Sequence, residues 1–209
     1  MIILAIGLGR HSLIMSLPMP SLPLILASSS PRRRQLMTAA GYEYAIVTPS
    51  ELAECGVCSG ETPPQFVARM AYQKAADVAT RVGPSLIVAC DTMAECQGQI
   101  LGKPRDERHA ESMLRTLSGR EHRVYSGLCL WQVPDCEPVV EVDRTTLRMD
   151  PLSDRQIAEY LATGLWEGKA GAFGYQDGFD WLHIVDGSES NVVGLPMELL
   201  ARMMARVQC

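Results

Sequence analysis

Three arginines sit where cations are ordinarily disfavoured. In "LILASSSPRRRQLM", Ser30 and Pro31 read as the N-cap and first-turn proline of a helix that "AAGY" closes at Gly41. Arg32, Arg33 and Arg34 then fill its first turn, where the backbone already carries about half a positive charge. Such a turn is well arranged only with an anion in front of it. Helix amides and guanidinium forks together suit phosphate.

Lys74 is the second residue of interest. On a helix from about Thr62 to Val82, Phe66, Met70 and Val78 form an apolar stripe, and Lys74 stands inside it. A lysine there either snorkels out or meets an anion, and pattern alone favours snorkelling. Asp91 ends the apolar run "SLIVAC", which places it at the carboxyl end of a buried strand, where ligands of open α/β sheets gather. A carboxylate there can hold Mg²⁺, act as a base, or simply cap a turn. Lys103, in "GQILGKP", lies in a tight Gly–Pro turn from which it could reach phosphate. The loop is not a Walker A motif, because Pro104 stands where Ser or Thr would bind Mg²⁺.

Other candidates carry less. His122 has no Ser or Cys nucleophile beside it in any known motif and reads as structural. "CGVC" at Cys55–Cys58 has no second half at zinc spacing and does not open a helix after a strand, so it reads as two loop thiols. What remains is a pair of arginines at a helix start, two lysines and one carboxylate. Four cations suit a triphosphate, and a carboxylate with Mg²⁺ suits cleavage of a phosphoanhydride.

The elements that must position these groups alternate between short apolar runs and helical patterns, which indicates an α/β fold. Strands are expected at "PLILAS", "YAIVT", "SLIVAC", "HRVYSGLCLW", "PVVEVDRTTLRM" and "WLHIVDG", with a short extended piece at "QILGKP". Helices are expected at "SPRRRQLMTAAG", Thr62–Val82, "DERHAESMLRTLSG", "SDRQIAEYLATG" and "LPMELLARMMARV". No repeat or linker divides the chain. Residues 22–209 read as one compact unit and residues 1–21 as an N-terminal extension.

Composition bounds the partners. The 209 residues are 47% hydrophobic and 21% charged, with a net charge of −5, which argues against a protein that coats nucleic acid. Seven cysteines, an odd number, fit free thiols in a reducing cytoplasm. "MIILAIGLG" lacks a basic n-region and is too short to span a bilayer, so neither secretion nor membrane insertion is expected.

Seven motifs in one order, "LASSSPRRRQLM", "FVARMAYQKA", "ACDT", "LGKPRD", "LSGREHRV", "KAGAFGYQ" and "SNVVGLP", resemble the Maf family of nucleoside triphosphate pyrophosphatases from Leu24 to the end. The resemblance implies a mixed, elongated sheet flanked by helices, with two lobes around a cleft as in inosine-triphosphatase-like folds. It implies hydrolysis between the α and β phosphates with Mg²⁺ or Mn²⁺, a house-cleaning role in nucleotide pools, and a homodimer. Ser28, Arg32, Arg33, Lys74 and Lys103 then match phosphate-binding positions, which reverses the snorkelling reading of Lys74. Asp91 matches the catalytic aspartate, as base or metal ligand, and Glu54 matches a second metal ligand with Glu51 as its rival.

Arg33, Thr92 and Gln176 match positions tied to base selectivity, and "SPRR", Asp91-Thr92 and Tyr175-Gln176 resemble the dTTP/UTP group more than the 7-methyl-GTP group. An amide at Gln176 can pair with O4 and N3–H of uracil or thymine. Met93-Ala94-Glu95, Gly168 and Glu189 depart from the family pattern. The alternatives are a non-catalytic nucleotide-binding regulator of cell division, or a pyrophosphatase for other non-standard triphosphates.

Overall fold

The computed structural model describes residues 22–53, 56, 58 and 60–206; the expected N-terminal extension lies outside them. The element order is β1 (Leu24–Ala27), α1 (Pro31–Ala39), β2 (Ala45–Ile46), α2 (Pro63–Ala79), β3 (Ser85–Cys96), β4 (Gln99–Leu101), α3 (Glu107–Leu117), β5 (Glu121–Val133), β6 (Val139–Met149), α4 (Asp154–Ala162), β7 (Leu182–Asp186), α5 (Glu189–Val193) and α6 (Met197–Arg206). Single helical turns occur at Glu51–Ala53, Ala170–Ala172 and Tyr175–Asp177.

The seven strands form one mixed sheet in the order β2-β1-β3-β5-β6-β7, with β4 paired to β3. β1 runs parallel to β2 and β3, and every other pairing is antiparallel. The fold is therefore α/β with helices on the sheet, as expected. The strand expected at "YAIVT" shrinks to Ala45–Ile46, both exposed. An edge position with nothing packed over it supports little more than a bridge.

The strand expected at "SLIVAC" is a correction of more consequence. β3 does not end at Asp91 but continues to Cys96, because β5 pairs with it throughout, from Ser85↔Val133 to Glu95↔Arg123. Asp91 lies mid-strand. What stops near it is the neighbour on the other edge: β1 pairs as far as Ala27↔Ala89, and β4 begins only at Ala94↔Leu101. Between these, β3 has an open edge, and the cleft lies there.

Three apolar clusters divide the molecule about this gap. Alternation along β3 sends Leu86, Val88 and Cys90 toward α1 and α6, in a cluster with Leu26, Met37, Leu128, Leu195, Leu200 and Met203. Ile87 and Ala89 face the other way, onto Ala71, Ala75 and Val78 of α2. Ala94 and Cys96 belong to a third cluster with Leu114 and Leu117 of α3 and Ile157 and Tyr160 of α4. Each fully buried Leu or Met contributes roughly 1.5–3 kcal/mol. The two lobes thus have separate cores but share β3 and β5.

Candidate active site

Asp91 and Thr92 are successive residues in the open stretch of β3, so their side chains leave opposite faces of the sheet. On the α2 face, Lys74 Nζ donates to Asp91 Oδ1 at 2.6 Å. The approach depends on Gly127 of β5, which stands opposite Asp91 in register. A Cβ on Gly127 would lie 2.1 Å from the Val67 carbonyl oxygen. Only glycine lets the α2 backbone lie this close to the sheet, and about two turns further on Lys74 comes down onto Asp91. The lysine expected to snorkel on pattern alone is 6% exposed and meets an anion.

On the opposite face, Thr92 Oγ1 lies 2.8 Å from Ser126 Oγ and donates to the Gly194 carbonyl at 3.2 Å. The same carbonyl accepts Arg33 Nε at 2.7 Å. Arg33 also donates to Ser28 Oγ and Thr92 Oγ1, both at 3.3 Å. Three of its N–H groups are thereby engaged by protein acceptors drawn from β1's end, β3 and the loop after α5. α1 begins as its sequence indicates, with Ser30 accepting from the Arg33 backbone N–H and no acidic residue in the first turn.

Arg32 extends across the cleft to the Gly168 carbonyl at 3.1 Å. Burial first, and then the neighbouring Arg33 charge, hold its guanidinium below the ordinary arginine range. Lys103 is exposed and has no hydrogen bond or ion pair among the described residues. Ser28, Arg32, Arg33, Lys74, Asp91, Thr92, Lys103 and Gln176 all line one cleft, together with Val124, Phe173, Val192 and Val193. Charge gathers around the α1 N-terminus and Asp91, and the apolar wall lies beside Gln176.

Glu54 lies outside the described residues. Its rival Glu51 is exposed in the Glu51–Ala53 turn and does not line the cleft. Among the described residues there is no cluster of three or more His, Cys, Asp or Glu suited to a metal, and Asp91 is the only carboxylate lining the cleft. Its Oδ2 has no partner among the described residues. A hard cation bound by one or two carboxylates plus substrate phosphates matches that donor set.

The departures from the family pattern have structural accounts. Met93 and Glu95 are buried, and Glu95 accepts the Gly98 N–H at 2.6 Å, closing the β3–β4 hairpin rather than facing ligand. Glu189 is exposed in the first turn of α5. Gly168, at φ 66°, supplies the carbonyl that receives Arg32. His122 is structural, as its sequence context suggests: it is 2% exposed, and its ring meets Phe173 edge-on at 5.1 Å. No local pattern points to Gly127 or to Lys169, a buried lysine on the cleft wall; "KAGAF" marks the latter only as part of a motif.

A mixed α/β sheet crossed by a cleft, with cations from three elements around one carboxylate, defines an anion-binding α/β protein. The family model described as Maf-like protein matches residues 23–207, and the chain belongs to that family. The dTTP/UTP pyrophosphatase of Rhodopirellula baltica is 58% identical over 182 residues, covering 87% of this chain and 80% of that one. The dTTP/UTP pyrophosphatase of Geotalea uraniireducens is 41% identical over 175 residues, covering 83% and 89%. Among solved structures, a HAM1 protein from Coxiella burnetii aligns at a TM-score of 0.49 with 14% identity, covering 89% of this chain and all (100%) of that one.

Proposed function

We propose that this protein hydrolyses dTTP and UTP between the α and β phosphates, releasing dTMP or UMP and pyrophosphate. The single observation that carries the reading is the Asp91–Lys74 pair at the open edge of β3, one carboxylate oxygen held at 2.6 Å and the other open to a cation-lined cleft. A site that only bound nucleotide would need the cations but no carboxylate among them.

The phosphate chain lies along the α1 N-terminus, where free amides, Ser28 and Arg32 receive it. Lys103, exposed and without a partner among the described residues, swings onto the terminal phosphates, and Lys74 neutralises charge beside the scissile bond. Such preorganised cations contribute several kcal/mol in a cleft that excludes water. Asp91 takes the proton of the attacking water through its open oxygen, or holds Mg²⁺ or Mn²⁺ there with Glu54 as a second ligand. When bound, the ion polarises phosphate oxygens and offsets the charge of the leaving pyrophosphate. Arg33 keeps the α1 turn, β3 and the Gly194 loop in register. Gln176 and Thr92 stand at the base end, where a carboxamide matches the O4 and N3–H edge of uracil or thymine.

An odd number of cysteines, seven, fits a reducing cytoplasmic setting. No helix among the described residues is long and apolar enough to cross a membrane. The test is a product assay with Mg²⁺ or Mn²⁺ and a panel of natural and modified triphosphates. Pyrophosphate with dTMP or UMP is the expected result, abolished by EDTA. Pyrophosphate from purine substrates alone would discard the base assignment, and binding without turnover would make the protein a nucleotide-binding regulator instead.

A further inference from the structure

A second lysine–carboxylate pair lies in the wall of the cleft that carries Gln176. Lys169 Nζ donates to Asp177 Oδ2, and the two side chains are 9% and 7% exposed. The same oxygen accepts the Tyr160 hydroxyl of α4 at 3.4 Å. Nothing in the phosphate-binding or base-reading roles uses this pair. Buried ion pairs are also poor evidence of stability, since desolvation offsets most of their attraction.

The segment between the partners is built around them. Gly174 stands where they meet: a Cβ there would lie 2.5 Å from Lys169 Nζ and 2.6 Å from Asp177 Oδ2. Two residues earlier the chain passes through Ala172 at φ 62°, a conformation an alanine adopts only when its surroundings enforce it. Both ends of the segment touch the cleft. The Gly168 carbonyl receives Arg32, and Lys169, Ala170, Phe173 and Gln176 line the wall.

Gln176 itself is exposed, and its amide has no hydrogen bond among the described residues. Its place is set by the backbone of the turn Tyr175–Asp177 alone, and Asp177 anchors that turn. We propose that Lys169 and Asp177 form a positioning clamp for the Gln176 turn, and so set how sharply the site separates uracil and thymine from cytosine. The inference rests on the pyrimidine reading of the site. A carboxamide held in one pose accepts and donates to the O4 and N3–H edge, whereas cytosine offers an amine and a bare nitrogen there. A loose carboxamide can turn over to suit either, and discrimination by hydrogen bonds fades.

The test compares wild type with Lys169→Met/Asp177→Asn, which removes both charges and keeps an acceptor for Tyr160. Steady-state kinetics on UTP, dTTP and CTP are read beside thermal melts. KM for UTP should rise about tenfold with kcat within about threefold, and the UTP-to-CTP ratio of kcat/KM should fall about tenfold. KM and the ratio both within about twofold of wild type would make the pair a packing feature and overturn the proposal. A loss of kcat with KM and the ratio intact would also overturn it, placing Lys169 on the reacting phosphates. Where the double variant does not fold, Asp177→Asn alone is read in the same way.

Failure of the substrate reading shows separately, in wild type. If wild type turns over only some other triphosphate, the KM-against-kcat split on that substrate judges the clamp. If it turns over none, calorimetric binding of UTP in EDTA does so, with about tenfold weaker binding expected in the variant and unchanged binding overturning the proposal.

Discussion

Two lysine–aspartate pairs face one cleft, and they are built differently. In the Lys74–Asp91 pair the carboxylate sits on a strand, the lysine on a long helix, and one carboxylate oxygen is left open. In the Lys169–Asp177 pair both partners belong to one short segment, and the single oxygen Oδ2 serves both the lysine and Tyr160. The first is rigidly placed and chemically unfinished; the second is finished and holds a loop. Identical residue types thus serve chemistry or position according to what else the carboxylate is bonded to and what kind of backbone carries it.

The sharpest way to break this contrast is Asp91→Asn. It should lower kcat by roughly 10²–10⁴-fold while triphosphate binding by calorimetry stays within a few fold. A variant that keeps its turnover would place the two pairs in the same class. Gly127→Ala strikes the first pair alone, because its Cβ must displace the Val67 carbonyl and the α2 backbone with it. A loss of about 1–3 kcal/mol in denaturant unfolding is expected, together with lower kcat/KM as Lys74 moves off Asp91. Retained stability and activity would show that α2 does not need the close approach.

Arg32 connects the two regions, since it leaves the α1 turn and ends on the Gly168 carbonyl next to Lys169. Arg32→Ala should lower kcat/KM for dTTP about tenfold or more, the size of a charged hydrogen bond worth ~1.5–3 kcal/mol. An unchanged kcat/KM would remove it from the site.

The last prediction touches neither pair and serves as their control. Burial pushes the His122 imidazole down to about 4, with the Arg120 backbone and Glu95 offsetting a little. Neither ring nitrogen makes a well-formed hydrogen bond among the described residues. Because the unfolded chain binds this proton near pH 6.5 and the folded one does not, stability is full above that pH and is lost as pH falls toward 4. The loss amounts to about 3 kcal/mol. His122→Gln should flatten the acid limb in melts across that window and leave the substrate preference near neutral pH unchanged.

Much of this is legible in the chain. Ser30, Pro31 and the arginine run announce an anion site without any partner in view, because capping and helix charge are local physics. Asp91 stands out for a reason that needs amending: an apolar run shows where a buried strand starts, but β3 continues past it only because β5 pairs alongside. Pairing between residues some forty positions apart leaves no local mark. The anchoring of Arg33 by Gly194, 161 residues away, and the fit of Gly127 under α2 are hidden for the same reason. Gly127 reads as any strand glycine until the helix that crosses it is placed.

The shared strands have one more consequence. β3 and β5 run unbroken through both lobes, paired at every position from Ser85 to Glu95, so no loop hinge separates the lobes along that path. Amide protons along this ladder should exchange with deuterium as one slow cooperative unit, lobes included. Any closing of the cleft on a ligand must then come from a change in the twist of a continuous sheet, a stiff motion of small amplitude. The Gln176 turn, tied down by Lys169 and Asp177, would follow that motion rather than add one of its own.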